Sequence, residues 1–229
     1  MVADPLLPDY GWSEQTPHTE AYLLAPLQQL LREFVPPSAR QASPAQLPAV
    51  LDLGCGNGAL AEELLSWGYD AIGIDPSASG IAQARRRLPS ITFHQATADT
   101  AAMAQLQLPA FDAIVSTEVV EHVYSPRQWA AAAYAALKPG GVVICSTPYH
   151  GYLKNCALAL SGKLDAHFTA LWDGGHIKFW SRRTLTALLQ EAGFQTVAFR
   201  GAGRWPWLWK SMLIAARKPL GDPPGPHFS

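Results

Sequence analysis

Residues 50–60 read VLDLGCGNGAL. A short apolar run ends at Gly54, Gly56 and Gly58, and a helix-forming stretch follows at once. Glycines at this spacing suit a tight strand-to-helix turn whose backbone a ligand approaches closely. A glycine triplet alone equally fits a plain βα turn. Two features favour the ligand reading. The spacing is GxGxG and not the GxGxxG of a pyrophosphate turn. Asp75 also closes the next apolar run, AIGID at 71–75, where a carboxylate can accept both hydroxyls of a ribose. Standing before Pro76, Asp75 fits a helix cap as well.

Outward from this turn the chain alternates. Strands are predicted at 49–53, 71–75, 91–95, 111–117 and 142–147, and helices at 58–67, 77–88 and 126–137, the last ended by LKPGG. Apolar strands each followed by a helix predict a parallel sheet covered on both faces. Upstream, residues 1–16 read as an arm, 18–35 carry helical spacing, and 36–48 read as a linker. Downstream, 149–180 form an insertion with a helix at 152–161, followed by a Ser181-capped helix to 192. The segments 194–201 and 207–218 form an expected antiparallel pair, and 219–229 are expected to be a disordered tail. The organisation is therefore an N-terminal arm and helix (1–48), a main domain (49–218) and the tail.

The 229 residues suit one α/β domain. Charged residues are only 15% of the chain, against a usual figure of about 25%, and the net charge is −1. That balance opposes a protein holding nucleic acid by bulk charge. Three cysteines without a CxxC pair favour a reducing compartment, and the cytoplasm is expected. No signal-peptide pattern or membrane-length apolar run is visible.

LDLGCGNG, GIDPS, FDAIVSTEVVEHV and LKPGG, in this order and spacing, resemble class I S-adenosylmethionine-dependent methyltransferases over about residues 48–200. The resemblance implies a Rossmann-like α/β fold, a seven-stranded sheet of order 3-2-1-4-5-7-6 with strand 7 antiparallel. It places S-adenosylmethionine against Asp52, Gly54, Cys55, Gly56 and Gly58, with Asp75 on the ribose. Pro76, Thr97 and Ala98 fall at the adenine, and Glu118 faces the cofactor. The family often has Gly-Asp-Ala after strand 3. Here QATADT leaves the adenine contact open among Ala96, Thr97 and Asp99, with Ile74, Pro76 and Ser77 as candidate flanks.

TEVVEHV brings Glu118, Glu121 and His122 within one turn of one another. Two carboxylates and an imidazole suit a divalent cation such as Mg²⁺. On another reading they brace a loop or contact the cofactor. The pattern resembles ubiquinone-biosynthesis O-methyltransferases and small-RNA 2′-O-methyltransferases. In the RNA enzymes a further histidine completes the set, and DGGHIKFW offers His176, ahead of His167 and His150. Glu118, Glu121, His122 and His176 are thus the candidate metal ligands. Without a metal, His122 or His176 serves as general base.

The insertion, with Tyr149, His150, Tyr152, Lys154, Asn155, His167, Trp172 and Trp180, is the expected acceptor side. Tyr10 and Trp12 belong to an arm expected to close over the cofactor. Trp205, Trp207 and Trp209 read as hairpin packing, with an apolar acceptor mouth or a membrane contact less favoured. The leading expectation is O-methylation of a small aromatic or apolar acceptor. The alternatives are an RNA 2′-O-methyltransferase, metal-free N- or C-methylation, a non-catalytic cofactor-binding module, and a dehydrogenase.

Overall fold

The structure, a computed structural model, describes Trp12 and residues 18–37, 47–168, 170–172 and 174–221. Tyr10, the linker and most of the expected tail lie outside the described residues. The element order begins α1 (Glu20–Phe34), β1 (Ala49–Leu53), α2 (Ala59–Ser66), β2 (Asp70–Asp75), α3 (Ala78–Arg87), β3 (Thr92–Gln95) and α4 (Thr100–Leu106). It continues β4 (Phe111–Thr117), α5 (Pro126–Ala136), β5 (Leu137–Pro148), α6 (Tyr152–Leu160), α7 (Leu164–Phe168), α8 (Arg182–Glu191), β6 (Gln195–Ala202) and β7 (Ser211–Arg217).

The seven strands form one sheet of order β3-β2-β1-β4-β5-β7-β6, the order expected. β1 to β5 pair in parallel, and β7 runs antiparallel to β5 and β6. Strand alternation splits the core in two. Leu51, Ile114, Val143 and Ile214 pack with Trp129 of α5 and Leu185 and Leu189 of α8. On the other face Val50, Val115, Ile144 and Leu213 meet α1, α2 and α3. Leu23, Leu27, Leu30 and Leu31 of α1 are buried there, so the leading helix is part of the core. By the same alternation, Asp52 shares the Val50 face, beneath α1 and α2.

Two boundaries differ from the sequence reading. β5 begins at Leu137, so Lys138-Pro139-Gly140-Gly141 is taken into the strand. Leu137 pairs with Phe111, and a register shift between Phe111 and Ala113 absorbs Gly140 at φ 81°. The final strand starts at Ser211, not at residue 207, because Ser211 pairs with Pro148, where β5 ends. Trp207, at φ 68°, lies in the connection that Lys210 N–H closes onto the Ala202 carbonyl at 2.9 Å. No helix among the described residues is long and apolar enough to cross a membrane.

Candidate functional site: the carboxyl edge of the sheet

The turn after β1 is built on left-handed backbone. Gly54, Gly56 and Gly58 have φ of 91°, 50° and 77°. At Gly54 a Cβ would also stand 2.3 Å from the Val119 side chain. The N–H groups of Gly54 and Cys55 both donate to the Ile74 carbonyl, at 2.7 and 3.0 Å, which fixes the turn to β2. Asp75 completes the tie: Oδ2 accepts from Gly56 N–H at 2.9 Å and Oδ1 from Ser77 N–H at 2.8 Å. Ser77 in turn caps α3 through Gly80 N–H, so Asp75 braces the turn while Ser77 is the N-cap.

Asp52 sits under this turn. It is buried, and neither carboxylate oxygen has a hydrogen-bond partner among the described residues. Burial, with Asp75 and Glu20 nearby, pushes its carboxyl up to about 8. An orphaned, protonated acid of this kind is a place for a cation or a strong donor. Asp52, Glu20, Glu118, Gly54, Leu23 and Trp12 line a cavity of about 110 Å³, short of the roughly 300 Å³ at which small-molecule pockets begin. Trp12 narrows it. A Cβ on Gly56 would stand 2.5 Å from the indole, and the Trp12 carbonyl accepts from the Gln83 side chain.

The candidate adenine residues sort themselves by their bonds. Asp99 caps α4, accepting from Ala102 N–H at 2.9 Å and from the Thr97 hydroxyl. These bonds hold its carboxyl below the usual range. Ile74 is fully buried in the core and is not at hand to flank a ring. Pro76, Thr97 and Ala98 remain partly exposed beside the ends of β2 and β3.

After β4 the four candidate ligands divide. Glu118, at φ 54°, accepts from the Ser146 and Ser211 hydroxyls at 2.8 and 3.0 Å. Burial raises it to about 7 against those two bonds and the Lys154 charge. Glu121, His122 and His176 come together instead: each offers one ligand atom, and these lie within 4.8 Å of one another. Glu121 is buried, and burial followed by Glu118 drives its carboxyl well up, against the Thr147 hydroxyl.

The segment after α7 is what delivers His176. Ile177 and Lys178 N–H both donate to the Glu121 carbonyl, at 2.9 and 3.0 Å. Trp180 Nε1–H donates to the Val120 carbonyl at 3.2 Å. His122 Nδ1 lies 3.0 Å from the Gly174 carbonyl, which can only accept, so Nδ1 is the donor of that bond. The His122 and His176 rings stand 4.9 Å apart, with Trp172 edge-on to both. Burial, then the His122 and His167 charges, pull His176 down to about 4, and burial lowers His122 too. Both imidazoles are therefore neutral at pH 7, the form that binds a metal or accepts a proton.

The other two histidines form a separate pair. His150 and His167 stand 5.3 Å apart, with Phe168 stacked on His150 and Phe179 edge-on. Of the other insertion residues, Tyr149 packs on Trp209, whereas Tyr152 is exposed. Sequence reasoning missed Glu20, which passes for an ordinary acid in the first turn of a helix, and the Ser146 and Ser211 hydroxyls that occupy Glu118.

A family model described as a methyltransferase domain matches residues 19–198. The chain belongs to the methyltransferase-domain family. The chain is 34% identical over 160 residues to the ubiquinone biosynthesis O-methyltransferase of Dinoroseobacter shibae, covering 66% of this chain and 62% of that relative. It is 35% identical over 169 residues to the protein of that name from a Ruegeria species, covering 70% of this chain and 66% of the relative. It thus spans just under two thirds of these relatives. Among solved structures, the 1,6-didemethyltoxoflavin-N1-methyltransferase of Burkholderia thailandensis superposes with a TM-score of 0.58 at 17% identity, covering 85% of this chain and 77% of that one. At that identity the likeness concerns the methyltransferase fold alone.

Proposed function

We propose that this methyltransferase-domain protein transfers a methyl group from S-adenosylmethionine to a hydroxyl of a small-molecule acceptor, with a divalent cation such as Mg²⁺ held by Glu121, His122 and His176. The observation that carries the reading is the convergence of those three side chains, one of them a buried carboxylate. Such a donor set of one oxygen and two nitrogens fits a divalent ion. Glu118, tied to two serines, stands on the cofactor side of the set.

The donor site fits a cationic methionyl end. Asp52 offers two unpartnered oxygens to the ammonium, and Glu20 and Glu118 keep the cavity acidic. Asp75, bonded to the Gly56 and Ser77 N–H groups at the end of β2, is the residue for the ribose hydroxyls. Gly54, Cys55, Gly56 and Gly58 supply the close backbone, and Pro76, Thr97 and Ala98 the adenine edge. When bound, S-adenosylmethionine supplies an electrophilic methyl on a sulfonium. A cation at the His176 set supplies hydroxyl acidification when bound. The protein's own task is alignment: His122 is held by Gly174, His176 by the Glu121 main chain, and Trp172 covers both. Without a cation, the neutral imidazole of His176 or His122 takes the hydroxyl proton.

The names of the relatives support a small hydroxylated acceptor over RNA. Two arginines of the Arg85–Arg87 run are also occupied: Arg85 donates to the Phe93 carbonyl at 2.7 Å, and Arg87 pairs with Glu62 at 2.7 Å. The test is calorimetric titration with S-adenosylhomocysteine, followed by methyl transfer to catechol-type phenols with and without Mg²⁺. Binding with Mg²⁺-dependent transfer is expected. Full activity after chelation would remove the cation from the reading and leave histidine base catalysis; failure to bind S-adenosylhomocysteine would remove the enzyme.

A further inference from the structure

Glu20 stands in the first turn of α1, where an acid is ordinary beside the positive end of the helix. Its surroundings are less ordinary. It lines the donor cavity together with Asp52 and Glu118, so three acids share one space. Asp52 is 1% exposed, both of its oxygens lack a partner among the described residues, and it feels the Glu20 charge. Glu118 is the occupied member of the three, held by Ser146 and Ser211. None of the ion pairs formed among the described residues includes Glu20. Burial, then Glu63, raise its carboxyl above the ordinary value. Arg87 opposes them but is itself paired with Glu62 at 2.7 Å.

No positive charge in the cavity answers these acids. Among the described residues that line it there is no lysine, arginine or histidine, and the uncharged polar side chains are those of Thr19, Asn57 and Thr117. Residues 1–31 contain neither a lysine nor an arginine. The amides of the glycine turn are taken as well. Gly54 and Cys55 N–H donate to the Ile74 carbonyl, and Gly56 N–H to Asp75. Gly58 N–H donates to the Cys55 carbonyl at 2.9 Å, and Ala59 N–H to Asn57 Oδ1 at 3.3 Å. A carboxylate entering here therefore meets no counter-charge and none of those five amides. An ammonium, with three N–H donors, meets the oxygens of Asp52 and Glu20.

We infer that Glu20 is a second acid for the ammonium of the methyl donor, and that the site selects its donor by the amine and not by the carboxylate. The site then also takes adenosyl compounds whose side chain ends in a primary amine alone. The inference rests on the methyltransferase reading above. Two carboxylates that share one ammonium make charge-assisted bonds to it, and its charge relieves their mutual repulsion.

The test is calorimetry on the full chain at neutral pH with three thioethers. They are S-adenosylhomocysteine, its decarboxylated analogue with a 3-aminopropyl chain, and its deaminated analogue with a 3-carboxypropyl chain. Wild type is expected to bind the aminopropyl compound within about threefold of S-adenosylhomocysteine or more tightly, and the carboxypropyl compound roughly a hundredfold more weakly, two charge-assisted bonds' worth. E20Q is expected to weaken both amines by roughly tenfold and to leave the carboxypropyl compound unchanged or more tightly bound. Should E20Q not fold by thermal melting, E20A carries the comparison. An equal loss on removing either group, a preference for the carboxypropyl compound, or amine affinities that E20Q leaves unchanged overturns the inference while the donor site stands. A loss in E20Q shared equally by all three ligands overturns it too, since Glu20 would then act on the helix and not on the amine. Binding of none of the three by wild type removes the methyltransferase reading and the inference with it.

Discussion

The main chain of Ile177 is hydrogen-bonded to that of Glu121, N–H to carbonyl, at 2.9 Å. The residue before Ile177 is a candidate ligand, and Glu121 is another. One backbone bond therefore sets the spacing of two side chains that lie 55 positions apart, from 121 to 176.

Glu121→Ala is expected to lower methyl transfer by roughly tenfold or more and to weaken Mn²⁺ binding in a spin-resonance titration. His176→Ala should do the same while leaving S-adenosylhomocysteine affinity within about twofold. Unchanged Mn²⁺ binding in both variants would dissolve the set.

Asp52 makes ligand-free stability depend on pH. Its folded pKa is raised from 3.8 to about 8, so its contribution is full below 3.8 and is lost as pH rises through 8. His150 and His176, lowered from 6.5 to about 4, act oppositely: their contribution is full above 6.5 and is lost as pH falls toward 4. Above pH 6.5 the histidine effect is spent and the acid effect remains. The Tm of the ligand-free protein is expected to fall from pH 6.5 to 8, as the raised Asp52, Glu118 and Glu121 all ionise, with Asp52 contributing at most about 1.4 kcal/mol per pH unit, and Asp52→Asn should reduce that slope. A slope unchanged in Asp52→Asn would show that the acid is solvated.

Gly54→Ala combines two faults, a side chain at φ 91° and a Cβ at 2.3 Å from Val119. Together they should cost about 2 kcal/mol or more of stability and weaken S-adenosylhomocysteine binding roughly tenfold. Chemical denaturation and calorimetry on the same preparation read both. Wild-type behaviour in each would mean that Val119 and the turn relax freely.

Trp12 rests on the glycine turn, in a cavity too small for a whole nucleoside. Binding of S-adenosylhomocysteine is therefore expected to move the indole and change tryptophan emission. Trp12→Phe should remove more than about half of that change despite seven remaining tryptophans. An emission change that Trp12→Phe leaves intact would place the response elsewhere.

The sheet could be read from the chain because its strands are buried on both faces and therefore apolar along their length, as in VVIC at 142–145. Boundaries set by distant partners could not. Leu137 joins a strand because Phe111 is opposite it, and Trp207 leaves one because Pro148 ends below it. The short helices α4 and α7 carry too few turns to show a period. In the site, glycine spacing and the acidic turn were visible locally. That Glu118 is claimed by Ser146 and Ser211, from β5 and β7, was not, because those hydroxyls reach it only through the fold. Nor does any local pattern distinguish a buried lysine on α6 from a solvated one.

Leu23 and Leu27 face two ways at once: they belong to the hydrophobic core, and they line the cavity over Asp52. Filling that cavity adds contacts to the same face of α1 that holds the helix to the sheet. Donor occupancy is thereby coupled to the opening of residues 20–34. Slowed amide exchange along this first helix would serve as an internal gauge of ligation, readable without any knowledge of the acceptor.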